Sequence, residues 1–262
     1  MVALPLAGKR VLVTRAAHQA GKLSEGLRAL GAEPVEVPVI EIRPPQDLRP
    51  LDRALRQLDS YDWLILTSAN TVRALEDRAA SLGLSLTSVT HFNIAAVGDA
   101  TADAARRAGF AVALVPDTYV AESLTKSLVG QTRGKKVLLA RAAVARDVIP
   151  DTLRASGATV DVVDAYRNVM PESAPALLRE ALQLGIAAAA FTSSSSVTHL
   201  ADAARQAGIA FPFAGVAAIS IGPVTSKTLL DLGWEPAAEA SPSDIPGLIQ
   251  AVARALAVSP AR

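Results

Sequence analysis

The chain contains no cysteine. That excludes structural disulfides, thiolate metal sites and a cysteine nucleophile. Histidine is nearly as scarce. His18, His91 and His199 are the only three, far apart and without metal-ligand spacing, so each reads as a surface residue and no metal is expected. An excess of one charge is missing too. Twenty-six Lys and Arg stand against 25 Asp and Glu, a net +1. A dedicated nucleic-acid binder normally shows a basic stripe, so no nucleic-acid partner is expected. Long apolar runs are absent. The most apolar stretch, residues 186–191, is too short to span a bilayer. The opening MVALPLAGKR has no charged region followed by an apolar one, so no secretory leader is expected. These absences predict a soluble, cytoplasmic protein with no membrane partner.

Familiar catalytic signatures are also missing. No G-x-G-x-x-G follows a strand and no G-x-x-x-x-G-K-[ST] occurs, so nucleotide binding through those loops is unsupported. There is no G-x-S-x-G elbow. The serines at 193–196 have no histidine placed to activate them. No paired-carboxylate motif suits acid–base work. No cofactor is expected.

What is present is written twice. VLVTR begins at Val11 and VLLAR at Val137, 126 positions on. LRALGAEPVEV from Leu27 returns as LRASGATVDVV from Leu153 at the same spacing. Thr67-Ser68 with Val72 and Leu75 returns as Thr192-Ser193 with Val197 and Leu200, 125 on. Gly98 with Thr101 returns as Gly222 with Thr225, 124 on. A register that loses two positions over the whole chain predicts an internal duplication of one α/β unit. Half of the 262 residues are hydrophobic, enough for two small domains. Two similar lobes predict a cleft between them as the ligand site.

Each copy alternates strands and helices. Residues 11–14 form a short apolar run suited to a buried parallel strand. Leu23, Leu27 and Leu30 follow at helical spacing, and Gly31 stops that helix. Residues 35–42 read as a second strand, but Pro38 removes a ladder bond and makes it an edge strand or a connector. Later strands fall at 63–66, 94–97 and 111–115, with helices at 71–82, 100–108 and 122–129. The second copy repeats the pattern to a helix at 245–256, and residues 258–262 read as a frayed tail. Such alternation predicts parallel sheets covered on both faces, with ligands beyond the carboxyl ends of the strands.

The strand ends are rich in small polar residues: Thr14-Arg15, Thr67-Ser68-Ala69-Asn70, Gly98-Asp99-Ala100-Thr101, Ala140-Arg141, Thr192-Ser193-Ser194-Ser195-Ser196 and Gly222-Pro223-Val224-Thr225. Each precedes a helix. Their hydroxyls can cap those helices. The same helix starts can also bind anions through backbone N–H groups and the positive end of the helix dipole. Six of them predict a site for a ligand with several negative groups. One aromatic stands out. Tyr166, in VDVVDAYRNV, occupies the position of Ile40 in the first copy. It reads as a core tyrosine or as a proton donor at the mouth of the cleft.

With VLVTR, LTSANTV, AVGDAT, VLLAR, DAYRN, FTSSSSV and IGPVT in that order, the chain resembles the uroporphyrinogen-III synthase family over essentially its full length. The resemblance implies interleaved lobes: residues 1–37 with 168–262 in one and 38–167 in the other. A two-stranded antiparallel connector, about 35–42 and 160–169, would join them, and the lobes would hinge about it. It implies cyclisation of linear hydroxymethylbilane to uroporphyrinogen III, with loss of water and inversion of ring D through a spiro intermediate. That is a lyase reaction without cofactor, run by a monomer. It allows a transient contact with the enzyme that supplies the substrate.

Carried over residue by residue, the resemblance implies that Tyr166 assists departure of the substrate hydroxyl. Thr101 and Thr225 would line the cleft. Ser68, Asn70, Thr192, Ser193, Ser194 and Ser195 would lie in loops offering N–H groups to carboxylates. Arg15 and Arg141 would either bind carboxylate or brace their loops. Two other classes fit the missing catalytic dyads: a non-catalytic two-lobed binding or regulatory protein for a polycarboxylate, and a small glycosyltransferase-like enzyme. The order of motifs around Tyr166 favours the synthase.

Overall fold

The computed structural model describes residues 4–86 and 91–257, apart from the side chains of residues 17 and 18. The expected frayed tail at 258–262 and the side chain of His18 lie outside the described residues. The chain divides into two compact units: Met1–Glu41 with Val169–Arg262, and Ile42–Asn168.

The first unit is built on β1 (Arg10–Val13), α1 (Ala17–Ala29) and β2 (Glu33–Glu36) at one end of the chain. From the other end it takes α7 (Ala174–Gln183), β9 (Ala188–Phe191), α8 (Ser194–Ala207), β10 (Ala217–Ser220), α9 (Pro223–Asp231), β11 (Pro236–Glu239) and α10 (Ile245–Ala257). Its sheet runs β11-β10-β9-β1-β2, and each neighbouring pair is parallel. A parallel strand covered on both faces must be apolar on both, which is why β1 reads RVLV and β9 AAAF. Alternate residues serve opposite faces. Leu12, Ala189 and Phe191 pack with Leu178, Leu200 and Trp234. Val11, Val13 and Ala190 pack with Leu23, Leu27 and Leu248.

The second unit holds β3 (Glu41–Arg43), α2 (Arg49–Arg56), β4 (Trp63–Leu66), α3 (Ala69–Ser81), β5 (Asn93–Ala96), α4 (Asp99–Arg107), β6 (Val112–Leu114), α5 (Ala121–Thr132), β7 (Lys136–Ala142), α6 (Val148–Ala155) and β8 (Thr159–Val169). Its sheet runs β3-β8-β7-β4-β5-β6. Leu64, Leu66 and Leu138 face α2, α3 and α4 residues. Trp63, Ile65 and Leu139 face Leu124, Leu128 and Leu153 on the other side. In both sheets a strand pair (β1-β2 or β7-β8) lies beside a consecutive triple (β9-β10-β11 or β4-β5-β6).

Two details depart from the sequence reading. The stretch 35–42 is not one strand. It ends as β2 at Glu36 and resumes as β3 at Glu41, with Pro38 in the gap between them, where its missing N–H costs no ladder bond. Leu51, Leu55 and Leu58 recur at a spacing that suits one helix, but Leu58 lies beyond α2 in a short 3-10 turn, Leu58–Ser60.

Candidate functional site

Four of the six polar strand ends supply helix caps, while α1 and α6 begin after Ala16 and Asp147 with no side-chain cap bond. Ser68 precedes α3 in an extended conformation (φ −160°, ψ 160°), and its hydroxyl accepts the N–H of Thr71 at 3.1 Å. Ser193 precedes α8 at φ −169° and ψ 159°, and its hydroxyl accepts the N–H of Ser196 at 3.2 Å. An extended residue with an oxygen side chain is the standard N-cap, and it satisfies one of the helix's orphan donors. Such a start still directs other N–H groups outward, which is the geometry that binds anions. Ala69 and Asn70 open α3, and Ser194 and Ser195 open α8. Thr192 lies half-buried just before the Ser193 cap.

The second pair of junctions is capped by glycine. Gly98 precedes α4 and Gly222 precedes α9, both extended. A Cβ on Gly98 would come within 3.0 Å of the Tyr119 ring, and one on Gly222 within 2.8 Å of the Ser243 hydroxyl. Absence of a side chain therefore lets a neighbour pack directly on the helix start. Thr101 and Thr225 are buried, and their N–H groups donate to the carbonyls of Gly98 and Gly222, each at 3.0 Å. The Tyr119 hydroxyl donates to Asp99, and this bond raises the phenol's pKa.

Tyr166 lies on β8 with its ring in the core that covers α3. Only 6 % of it is exposed. Its hydroxyl is 3.1 Å from the Ser68 hydroxyl, so the polar tip reaches the α3 cap while the ring stays buried. A bulge aims it there. Arg141 pairs with Asp164, but the next residue, Ala142, pairs with Tyr166, so Ala165 is extra. The strand alternation would otherwise put Tyr166 with Val160 and Val162 on the opposite face, where those residues pack. The extra residue turns it to the face of Val163 and Ala165.

Each of the two arginines contacts residues a few positions further along the chain. Arg141 donates to the carbonyl of Arg146 at 3.1 Å and to the Asp147 carboxylate at 2.7 Å, while its Nε is buried without a hydrogen-bond partner. Arg15 donates to Gln19 at 3.3 Å, and burial lowers its pKa. The Ser194 hydroxyl also has structural work: it donates to the carbonyl of Val224 at 3.2 Å and accepts from Thr228 at 2.8 Å, tying α8 to α9.

Of the histidines expected at the surface, His91 is exposed. His199 is half-buried, with Nδ1 2.8 Å from the carbonyl of Val39. Among the described residues no group of three or more His, Asp or Glu is arranged to hold a metal.

Sequence reading missed Thr71 and Tyr119. Thr71 has a signal, since it stands three residues after a serine cap. Tyr119 has none, because its contact with Gly98 joins separate loops.

A model of the family described as Uroporphyrinogen-III synthase HemD matches residues 21–250. The chain belongs to the uroporphyrinogen-III synthase family. It is 36% identical over 257 residues to the uroporphyrinogen-III synthase of Synechococcus elongatus, covering 96% of this chain and 97% of that protein. It is 31% identical over 225 residues to the porphyrin biosynthesis protein HemD of Ruminiclostridium josui, covering 85% of this chain and 44% of that one. A solved structure of a mutant uroporphyrinogen III synthase from Thermus thermophilus shares the α/β fold. The TM-score is 0.67 at 22% identity, over 95% of this chain and 99% of that one. The non-catalytic alternative finds no support in these comparisons.

Proposed function

We propose that this protein cyclises hydroxymethylbilane to uroporphyrinogen III, eliminating water as a hydro-lyase and inverting ring D through a spiro intermediate. Tyr166 donates a proton to the departing hydroxyl of ring A. The azafulvene left behind is attacked by the substituted α-carbon of ring D, and the spiro intermediate fragments and recloses with that ring turned. The substrate and its products differ by one water and no electrons, so the reaction needs no flavin or other redox cofactor.

The observation that carries this reading is the Tyr166 hydroxyl, 3.1 Å from the cap of α3. It supports the reading because a weak acid beside the start of a helix suits a substrate that carries carboxylates. The starts of α3 and α4 in one unit, and of α8 and α9 in the other, supply donors for the acetate and propionate groups. Ser68, Asn70, Thr101, Thr192, Ser193, Ser194, Ser195 and Thr225 belong to these starts. Arg15 and Arg141 stiffen the loops beside them. Hydroxymethylbilane closes by itself without inversion, so the protein's main task is to hold the chain in the geometry that favours the spiro route. We take it to act as a soluble cytoplasmic monomer. Among the described residues no helix is long and apolar enough to cross a membrane.

The test is Tyr166→Phe. Turnover should fall about tenfold to a hundredfold, the low end for a positioned acid, with the fold intact. Unchanged turnover at saturating substrate would remove the tyrosine from the mechanism.

A further inference from the structure

We propose that Ser68 is a positioning residue for the Tyr166 phenol, and that it works through a chain of hydroxyls whose direction can reverse. The inference rests on the reading of Tyr166 as the proton donor. Its basis is a count of donors at one oxygen. Ser68 Oγ has one proton and two lone pairs. One lone pair is taken by the N–H of Thr71 at 3.1 Å. The remaining proton and lone pair face two neighbours, Tyr166 Oη at 3.1 Å and Thr71 Oγ1 at 3.1 Å. Ser68 must therefore donate to one of them and accept from the other.

Two arrangements satisfy this count. In the first, Tyr166 donates to Ser68 and Ser68 donates to Thr71, so the phenol proton points inward. In the second, Thr71 donates to Ser68 and Ser68 donates to Tyr166. The phenol proton is then released toward substrate, and the oxygen that loses it keeps a donated hydrogen bond. A hydrogen bond to a charged oxygen is stronger than one to a neutral oxygen. The second arrangement therefore gains as the proton leaves, which is the differential binding that lowers a barrier.

The inner end of the chain fixes what it can do. Thr71 Oγ1 lies 3.4 Å from Thr67 Oγ1, and Thr67 donates to the carbonyl of Ala140 at 3.4 Å. A backbone carbonyl has no proton to give. The chain can reorient, but it cannot resupply Tyr166 from within. The balance closes through the substrate. The Tyr166 O–H bond breaks, the carbon–oxygen bond of the ring A hydroxymethyl breaks with its electron pair on oxygen, and water forms. When the last carbon–carbon bond closes, ring D loses a proton from its free α-carbon, and that proton restores the phenol.

The experiment compares Ser68→Gly and Ser68→Thr, each with Tyr166 and with Tyr166→Phe, by kcat and KM on hydroxymethylbilane. Glycine is an adequate N-cap, so the helix is kept while the hydroxyl is lost. With Tyr166 present, Ser68→Gly should lower kcat about tenfold, the size of a hydrogen bond to a developing charge, with KM changed less than about twofold. Ser68→Thr should recover most of that loss. With Tyr166→Phe, Ser68→Gly should have no further effect on kcat. An equal loss in both backgrounds, or no recovery with threonine, would overturn the positioning role while leaving Tyr166 as the acid. If Tyr166→Phe itself leaves kcat unchanged, the proton-donor reading falls and this inference with it.

Discussion

The two units share a strand order and a set of caps, yet only one carries a phenol at its cap. In the unit built on β4 and β7, Ser68 caps α3 and meets Tyr166. In the unit built on β1 and β9, Ser193 caps α8 in nearly the same conformation. There the strand beside the pair is only Glu33–Glu36. β8 runs eleven residues and carries the bulge that turns Tyr166 inward. Extended serine caps occur in both units, while a phenol beside the cap occurs in one.

The backbone donors provide the largest test of the likeness. Ala69 and Ser194 are the first residues of α3 and α8, a position where proline is well accommodated. Pro223 already occupies it in α9. The residues before them, Ser68 and Ser193, are extended as a following proline requires. Ala69→Pro and Ser194→Pro should therefore keep the fold and delete one N–H each. Affinity for uroporphyrinogen III, read by calorimetry, should fall about tenfold or more in each case, as for a hydrogen bond to a charged group. Ser194→Ala controls for the lost hydroxyl. A loss in one unit alone would show that only one set of helix starts holds ligand.

The caps come next. Ser193→Ala should cost about 1 kcal/mol of stability in a denaturant titration, the usual loss for a cap. Ser68→Ala should cost about 1 kcal/mol more, because it also leaves the Tyr166 hydroxyl without its partner. Equal costs would mean that the Ser68–Tyr166 contact contributes nothing to the resting fold.

The smallest effects belong to the glycine-capped starts. Thr101→Ala and Thr225→Ala should each change ligand affinity by about 1 kcal/mol or less. Both side chains are buried, so their stability should fall more than their affinity. A larger affinity loss in either would place that hydroxyl directly on the ligand.

Much of this was legible in the sequence, for reasons that can be named. Buried parallel strands had to be apolar on both faces, and VLV, WLIL and VLLA announced them. Ser68 with Thr71, and Ser193 with Ser196, are local pairs three residues apart, so their caps could be expected. The Ser68–Tyr166 contact could not be read. Its partners lie 98 residues apart, and strand alternation alone would have sent Tyr166 to the other face. One extra residue, Ala165, decides that, and nothing in its side chain marks a bulge. The contacts of Arg15 and Arg141 were equally hidden, since an arginine at a strand end suits a ligand or a loop. Their partners are Gln19 for one and Arg146 with Asp147 for the other.

The central claim is that these helix starts and this phenol steer a reactive chain into the inverted macrocycle. It is tested most directly by adding the protein to freshly made hydroxymethylbilane, with a chelator present, and resolving the product isomers. The account predicts uroporphyrinogen III as the main product, formed faster than the spontaneous closure. Isomer I alone, formed at the rate seen without protein, would contradict it.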